Sequence, residues 1–344
     1  MHGVMQHTRV LLLLLVAPWH AECFLPIARP RHLFSTHLFS RSVQHDARQT
    51  AGRMMCGFSA GSGDNDAAGA AAGAAGAAGA AGAAGAAGAA ATSGGRASTW
   101  SNPGGKDLVQ VSDDVWAAER PFVWNSIDVG GRMAVVKLSD GSLWVHSPVE
   151  LDGPLREALA ELGPVAHIVS PNYEHVKYAR QWVEAYPNAK SYACPGLAER
   201  HPGVGFTREF GASVEDENLP EWGGEIQACF MDTETNPFTG KPFFNEVVFF
   251  HRPTKSLITA DLYWNYPREG VPLGTKGWKF GMDKVYLPFF KRFMVSDNAA
   301  FASKVDKILS WGVETIVPCH GHIVRSGAAE ALRETLLGTG AASG

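Results

Sequence analysis

Ser256-Leu257-Ile258-Thr259-Ala260-Asp261 and Thr315-Ile316-Val317-Pro318-Cys319-His320-Gly321-His322 are two short apolar runs that each end in potential metal ligands. A run of this length bounded by turn residues reads as a buried strand. Polar side chains at the carboxyl end of such a strand project into the crevice where α/β folds bind ligands. Function is therefore sought beyond Thr259 and Pro318, and the rest of the chain is read outward from there.

Upstream, Met133 to Leu138 and Leu143 to His146 flank Ser139-Asp140-Gly141-Ser142. An Asp-Gly pair between β-rich runs predicts a hairpin. Asp152 is placed to cap a helix that Pro154 enters and Gly163 ends, with Leu155, Leu159 and Leu162 on one face. The run Val165 to Val169 reads as a strand leading into the polar loop Ser170-Pro171-Asn172-Tyr173-Glu174-His175. After it, Val176, Ala179, Val183 and Tyr186 sketch a second helical face. Lys190 to Ala193, Glu225 to Met231 and Glu246 to His251 read as further strands, the last joined to Ser256 to Ala260 by the turn Arg252-Pro253-Thr254-Lys255. Asp297 caps a helix carrying Phe301, Val305, Ile308 and Leu309, closed by Gly312. Strands mixed with helices make the fold α/β, or α+β.

The folded part is expected as one domain over residues 106–340, because the first third of the 344 residues lacks a globular composition. Residues 1–23 carry a basic start and a short apolar block, the pattern of a signal peptide too short to span a bilayer. Residues 24–55 hold Arg29, Arg31, Arg41, Arg48 and Arg53 with several serines and one acid, Asp46, which is a transit-like composition. Signal followed by transit segment resembles the bipartite leaders of proteins sent to plastids bounded by extra membranes. The expectation is a plastid (chloroplast) protein without a permanent membrane anchor; the alternative is a secreted protein with a basic prosegment. Residues 56–105 are a Gly/Ala-rich low-complexity linker, with glycine at every third position from Gly73 to Gly88; its Gly-Ala-Ala repeat over residues 67–91 has none of the prolines collagen needs. The leader as a whole is read as disordered.

A net charge of -4 with interspersed signs leaves no basic stripe for nucleic acid. Of the five cysteines, Cys194, Cys229 and Cys319 stand singly in the domain, so no disulfide framework or zinc knuckle is implied; they read as buried apolar residues.

Several strand ends offer donors: His146 after Leu143-Trp144-Val145, then Asn172, Glu174 and His175, then Asp261, then His320. Imidazoles and carboxylates converging from separate strands are what a zinc or iron site requires. His322 is expected to be backbone-bonded rather than a ligand. Glu246 interrupts an apolar run and is expected to pair with Lys241 or Arg252. The aromatic stretch Tyr263 to Pro267 reads as a lid, a substrate wall or a plain loop. Lys276, Lys279, Lys284, Lys291 and Arg292 read as a solvated face, or as cations for an acidic substrate.

The order hairpin, helix, strand with polar loop, Thr-Ala-Asp-Leu, helix and Pro-Cys-His-Gly-His resembles that of the metallo-β-lactamase-like hydrolases, among them the ribonuclease Z and hydroxyacylglutathione hydrolase types. More narrowly, Leu143 to Pro148, Ser170 to His175 and Pro242 to Phe249 resemble a domain-of-unknown-function family of photosynthetic organisms within that superfamily. The resemblance implies an αββα four-layer sandwich over about Phe122 to Leu337. It also implies that Asp261 matches a bridging aspartate and His320 a last metal-ligating histidine. The superfamily's His-x-His-x-Asp-His is replaced here by Pro171-Asn172-Tyr173-Glu174-His175-Val176, and His146 stands where many members have an aspartate.

Two functions follow. In one, His175, Asp261 and His320, with His146 as a further metal ligand, hold one zinc or iron ion, and Asn172 and Glu174 act as catalytic groups. The substrate would be a small ester, thioester, lactam or phosphoester. In the other, the metal site is degenerate, and the protein is a catalytically inactive binding or assembly protein with a protein partner on the same fold.

Overall fold

The computed structural model describes residues 96–214 and 219–338. The expected signal and transit segments, and residues 56–95 of the expected linker, lie outside the described residues, whereas residues 96–105 of that linker are described and include the buried Asn102. The chain is already packed at its described start, where Arg96 forms ion pairs with Asp107 and Asp152.

A seven-stranded sheet is assembled first. Strands β1 (Val109–Ser112), β2 (Val115–Arg120), β5 (Gly131–Lys137) and β6 (Leu143–His146) are antiparallel neighbours, and β7 (Val165–Ser170), β8 (Lys190–Ala193) and β9 (Arg208–Glu209) continue it in parallel. Strands β3 (Val123–Trp124) and β4 (Ile127–Asp128) form a separate small hairpin. The β5–β6 hairpin turns over Asp140-Gly141 as the sequence predicts, with Gly141 at φ +84°. Helix α1 (Gly153–Leu162) crosses from β6 to β7; the Asp152 carboxylate caps it by accepting the Leu155 amide. Helix α2 (Ala179–Ala185) joins β7 to β8, and the short α3 (Leu197–Arg200) follows β8.

A second sheet of four strands holds β10 (Ile226–Phe230), β11 (Val247–His251), β12 (Ser256–Thr259) and β13 (Thr315–Pro318) in that order. Between β12 and β13 run α4 (Leu273–Gly281), its continuation through two π-type turns to Met294, and α5 (Asn298–Ser310), capped by Asp297 as predicted. Helix α6 (Ala328–Leu336) closes the described chain.

Strand alternation sorts the core into layers. On β6, Trp144 points between the sheets toward Trp222 and Phe249, while Leu143 and Val145 point out to Leu155, Leu159 and Trp182 of α1 and α2. On β11, Phe249 faces the inter-sheet core and Phe250 faces Trp311 at the end of α5. The layers therefore run helix, sheet, sheet, helix, as the resemblance implies. Each fully buried large side chain contributes roughly 1.5–3 kcal/mol to this arrangement. Cys194, Cys229 and Cys319 are all buried, and none of the three is in a disulfide.

One helical face differs from expectation. In α2 the residues turned inward are Ala179 and Trp182, with Val183 and Tyr186 only part-buried. The Trp182 indole donates to the Val149 carbonyl, and that bond anchors the ring beneath β7. The helix also starts only at Ala179, so Val176 lies in the loop before it.

Candidate metal centre

Strand register delivers the first two donors. Strands β12 and β13 are parallel, and Thr259 pairs with Pro318 at their carboxyl ends. Asp261 and His320 each lie two residues beyond that pair, so both side chains emerge at the same level from adjacent strands. The third donor comes from the other sheet, in the loop after β7. There the Asn172 side-chain carbonyl accepts the amides of Glu174 and His175 at 3.0 and 2.9 Å, an Asx-type turn that winds the loop.

His175, Asp261 and His320 meet at the mouth between the sheets, each offering one ligand atom, all within 4.8 Å of one another. His175 Nε2 is 3.2 Å from Asp261 Oδ2, and His320 Nε2 is 3.5 Å from Asp261 Oδ1. The Asn172 amide donates to Asp261 Oδ2 at 2.7 Å and approaches Glu246 Oε2 at 3.3 Å.

The surrounding groups fix which ring nitrogens face inward. His320 Nδ1 lies 2.7 Å from the Gly130 carbonyl, which only accepts, so Nδ1 carries the proton and Nε2 turns its lone pair toward Asp261. His175 Nδ1 is held by the Ser147 hydroxyl at 2.5 Å. The loop bearing His320 is braced from beneath. Buried Arg132 donates to the Pro318 and Gly321 carbonyls and pairs with Glu119. Gly321 sits at φ +83°, and a Cβ there would come within 2.2 Å of the Asn265 backbone, so only glycine permits this turn.

Electrostatics separate the two imidazoles. Burial works most strongly against charge on His175, but the Asp261 carboxylate and Cys319 together outweigh it and hold the group well above the ordinary range. His320 is pushed down by burial, only partly offset by Asp261. Asp261 is itself penalised by burial, yet His175 and its other partners keep it below the usual carboxylate range. Burial, and then the Asp261 charge, push Glu174 up to about 8.

Glu246 is not paired with Lys241 or Arg252. Its carboxylate accepts the backbone amides of Ala260, Asp261 and Leu262 at 2.7, 2.7 and 2.9 Å. The reason is topological: β11 and β12 are antiparallel neighbours, so the residue just before β11 lies beside the residues just after β12. Burial and Asp261 push Glu246 up to about 7, against the pull of the Ala260 and Asp261 amides.

The structure gathers His175, Asp261, His320 and Asn172 and places Glu174 beside them. His146 lies outside the three-donor group, in the core. Its ring stacks on Trp144 at 5.8 Å and meets Phe249 edge-on at 5.7 Å; Nδ1 is 4.0 Å from Cys319 Sγ, and Nε2 has no partner. Burial, and then the charge of His175, drive its pKa down to about 3. His322 is exposed, and its amide bonds to the Asn265 carbonyl, because the turn at Gly321 swings it off the strand line.

Sequence reasoning did not single out Ser147, Arg132 or the Gly130 carbonyl. Only Ser147 had a signal, its position directly after the β6 histidine. Trp264 lines a largely apolar crevice beside Asp261 together with Glu234, Glu246, Tyr286 and Phe290, and Tyr266 stacks at 6.4 Å from His320. The aromatic stretch therefore walls the site.

The donor set fits a single cation. Two imidazole nitrogens and a carboxylate are the N/O set zinc and iron accept, and a fixed Nε2 lone pair opposite a carboxylate is an arrangement that a cation between them would satisfy.

Residues 112–274 match the model of a family described as "Domain of unknown function (DUF4336)". No protein of curated description matches the sequence. Among solved structures, the chain is similar to DIM-1 metallo-β-lactamase exposed to ceftazidime, at 15% identity and a TM-score of 0.47 over 69% of this chain and 97% of that one. It is similar also to a metallo-β-lactamase from Pontibacter korlensis, at 12% identity and a TM-score of 0.44, covering 67% and 97% of the two chains. The corresponding values for a metallo-β-lactamase from Hirschia baltica are 11% and 0.44, over 67% and 95%.

Proposed function

We propose that this is a metal-dependent hydrolase of a small ester, thioester or phosphoester, working in a plastid and holding one zinc or iron ion on His175, Asp261 and His320. The observation that carries the reading is the convergence of these three donors, from three separate strand ends, to within 4.8 Å. A metal held there would supply Lewis acidity and a water acidified toward neutrality. The chain's own groups do the rest. Gly130 fixes the His320 tautomer, Ser147 orients His175, and Asn172 winds the loop and donates to Asp261. Glu174, beside Asp261, is the group placed to give or take a proton. Localisation rests on the composition of residues 1–55.

A second reading has its own observation. Asp261 Oδ2 already accepts from Asn172 and lies 3.2 Å from His175, so this oxygen has protein partners of its own. On that reading the protein is a catalytically silent binding or assembly factor.

Elemental analysis of the full chain, purified from medium supplemented with zinc and iron, separates the two. The hydrolase reading expects near one equivalent of metal, lost in Asp261→Ala and His320→Ala, with chelator-sensitive turnover of a generic ester. Folded protein that takes up no metal overturns it and leaves the binding factor, whose partner a pull-down should then recover.

A further inference from the structure

Among the described residues, five large apolar side chains are exposed: Val123, Phe238, Leu273, Phe280 and Phe293. They are not scattered. Leu273, Phe280 and Phe293 lie on the helical segment from α4 to Met294. Phe238 stacks on Phe289 of that segment at 6.4 Å, and Phe289 meets Phe293 at 5.2 Å. Val123 belongs to the β3–β4 hairpin, whose Trp124 packs on Trp278 of α4 at 4.9 Å. The segment's other face is spent on the domain: Thr275, Trp278, Tyr286, Phe290 and Met294 are buried. Its outward face interleaves Leu273, Lys276, Phe280, Lys284, Arg292 and Phe293, all exposed.

Charge identifies what fits this rim. Between Leu273 and Met294 there are five basic residues and one acid, Asp283, which is paired with Lys279, in a chain whose net charge is -4. A second copy of the chain would set like charge against like charge. The leader residues 24–55, with five arginines and one acid, carry the same sign and are no better a cover. Separate apolar side chains spaced by long cations form the surface that lies in a lipid headgroup region, with rings inserted and cations at the phosphate level.

We propose that this rim docks the protein peripherally on a membrane surface rich in anionic lipids. The inference does not rest on the hydrolase reading. No described helix is long and apolar enough to cross a membrane, and the association proposed is superficial and reversible. The inner face of the same segment supplies Tyr286, Leu287 and Phe290 to the crevice beside Asp261, so docking brings that crevice next to the headgroups.

The test is co-sedimentation of the full chain with phosphatidylcholine vesicles, with and without about 30% phosphatidylglycerol, at low and high salt. Leader and linker are identical in every variant, so differences report on the rim alone. Expected are binding to the anionic vesicles only, at least tenfold weaker binding by the Phe280→Ser/Phe293→Ser double variant, and a comparable loss with salt sensitivity abolished in Lys284→Glu/Arg292→Glu. These side chains are exposed, so thermal unfolding should be unchanged. Absence of binding, or binding that both double variants retain, overturns the proposal. So does a parent chain that is dimeric by sedimentation velocity and made monomeric by Phe280→Ser/Phe293→Ser, since the rim would then be a contact between copies.

Discussion

Asp261 and Glu246 are both carboxylates buried at strand ends beside one crevice, and they are handled in opposite ways. Glu246 is closed off: three backbone amides and the edge of Asn172 fill its oxygens, so it holds shape and has nothing left to offer. Asp261 faces side chains, with His175 on one oxygen and His320 on the other. A carboxylate bound by backbone fixes a fold, whereas one that faces imidazole nitrogens shares with them a place for a cation. The histidines repeat the contrast. His320 is anchored by Gly130 with Nε2 presented to the site, and His146 is sealed among aromatic rings.

The largest effect should come from the closed carboxylate. Glu246→Gln keeps the shape but turns an NH2 group toward backbone donors, leaving at least one buried amide unmatched beside others weakened. We expect a loss of about 3–5 kcal/mol in urea unfolding, at the upper end of single-site effects. Metal content would fall with it, because the Asp261 amide is one of those donors. A variant as stable as the parent would show that the contrast with Asp261 is false and that Glu246 does not set the strand end.

How much of this was visible in the sequence follows from the same distinction. The strands that carry the candidate donors, the Asp140-Gly141 hairpin and both Asp caps rest on local signals, and the structure has them; β1 to β4, β9 and the parallel pairing of β12 with β13 are not read from the sequence. Asp261 and His320 could be foreseen as neighbours because each ends a short apolar run. The partner of Glu246 could not be read, since its donors are backbone amides, which every residue carries, brought alongside by the β11–β12 pairing. Arg132 escaped for a similar reason: it reads as an ordinary charge in a strand, and only the arrival of the Pro318–Gly321 turn gives it two carbonyls to hold. His146 shows the converse hazard, a histidine at a strand end whose ring the structure buries in the core.

Arg132 tests whether the open side of the comparison depends on its brace. Arg132→Met removes the donors to Pro318 and Gly321 and leaves the Glu119 carboxylate without its partner. Loss of one member of a buried pair predicts about 3 kcal/mol of destabilisation by thermal or urea melt, with metal affinity reduced because the His320 loop loosens. Full stability with weakened metal binding would instead confine the brace to the site. Unchanged behaviour in both would remove it from the account.

The effect that is smallest near neutral pH, and the one that separates the two histidine environments, is a dependence on pH. His146 is neutral and wholly buried, its pKa pushed down to about 3, against an ordinary value of 6.5 in the unfolded chain. Between those values the unfolded state binds the proton and the folded state does not, so this group's contribution to stability rises with pH and is lost as pH falls from about 6.5 toward 3. The slope is at most about 1.4 kcal/mol per pH unit. His146→Leu keeps the ring's place apolar, so its urea midpoint should fall less steeply on acidification than the parent's, and its metal content should match the parent's. A variant with the parent's acid slope would mean that His146 already finds a proton or a partner in the folded core. One that folds but loses its metal would move His146 from the sealed side of the comparison to the open side, as a fourth donor beside His175.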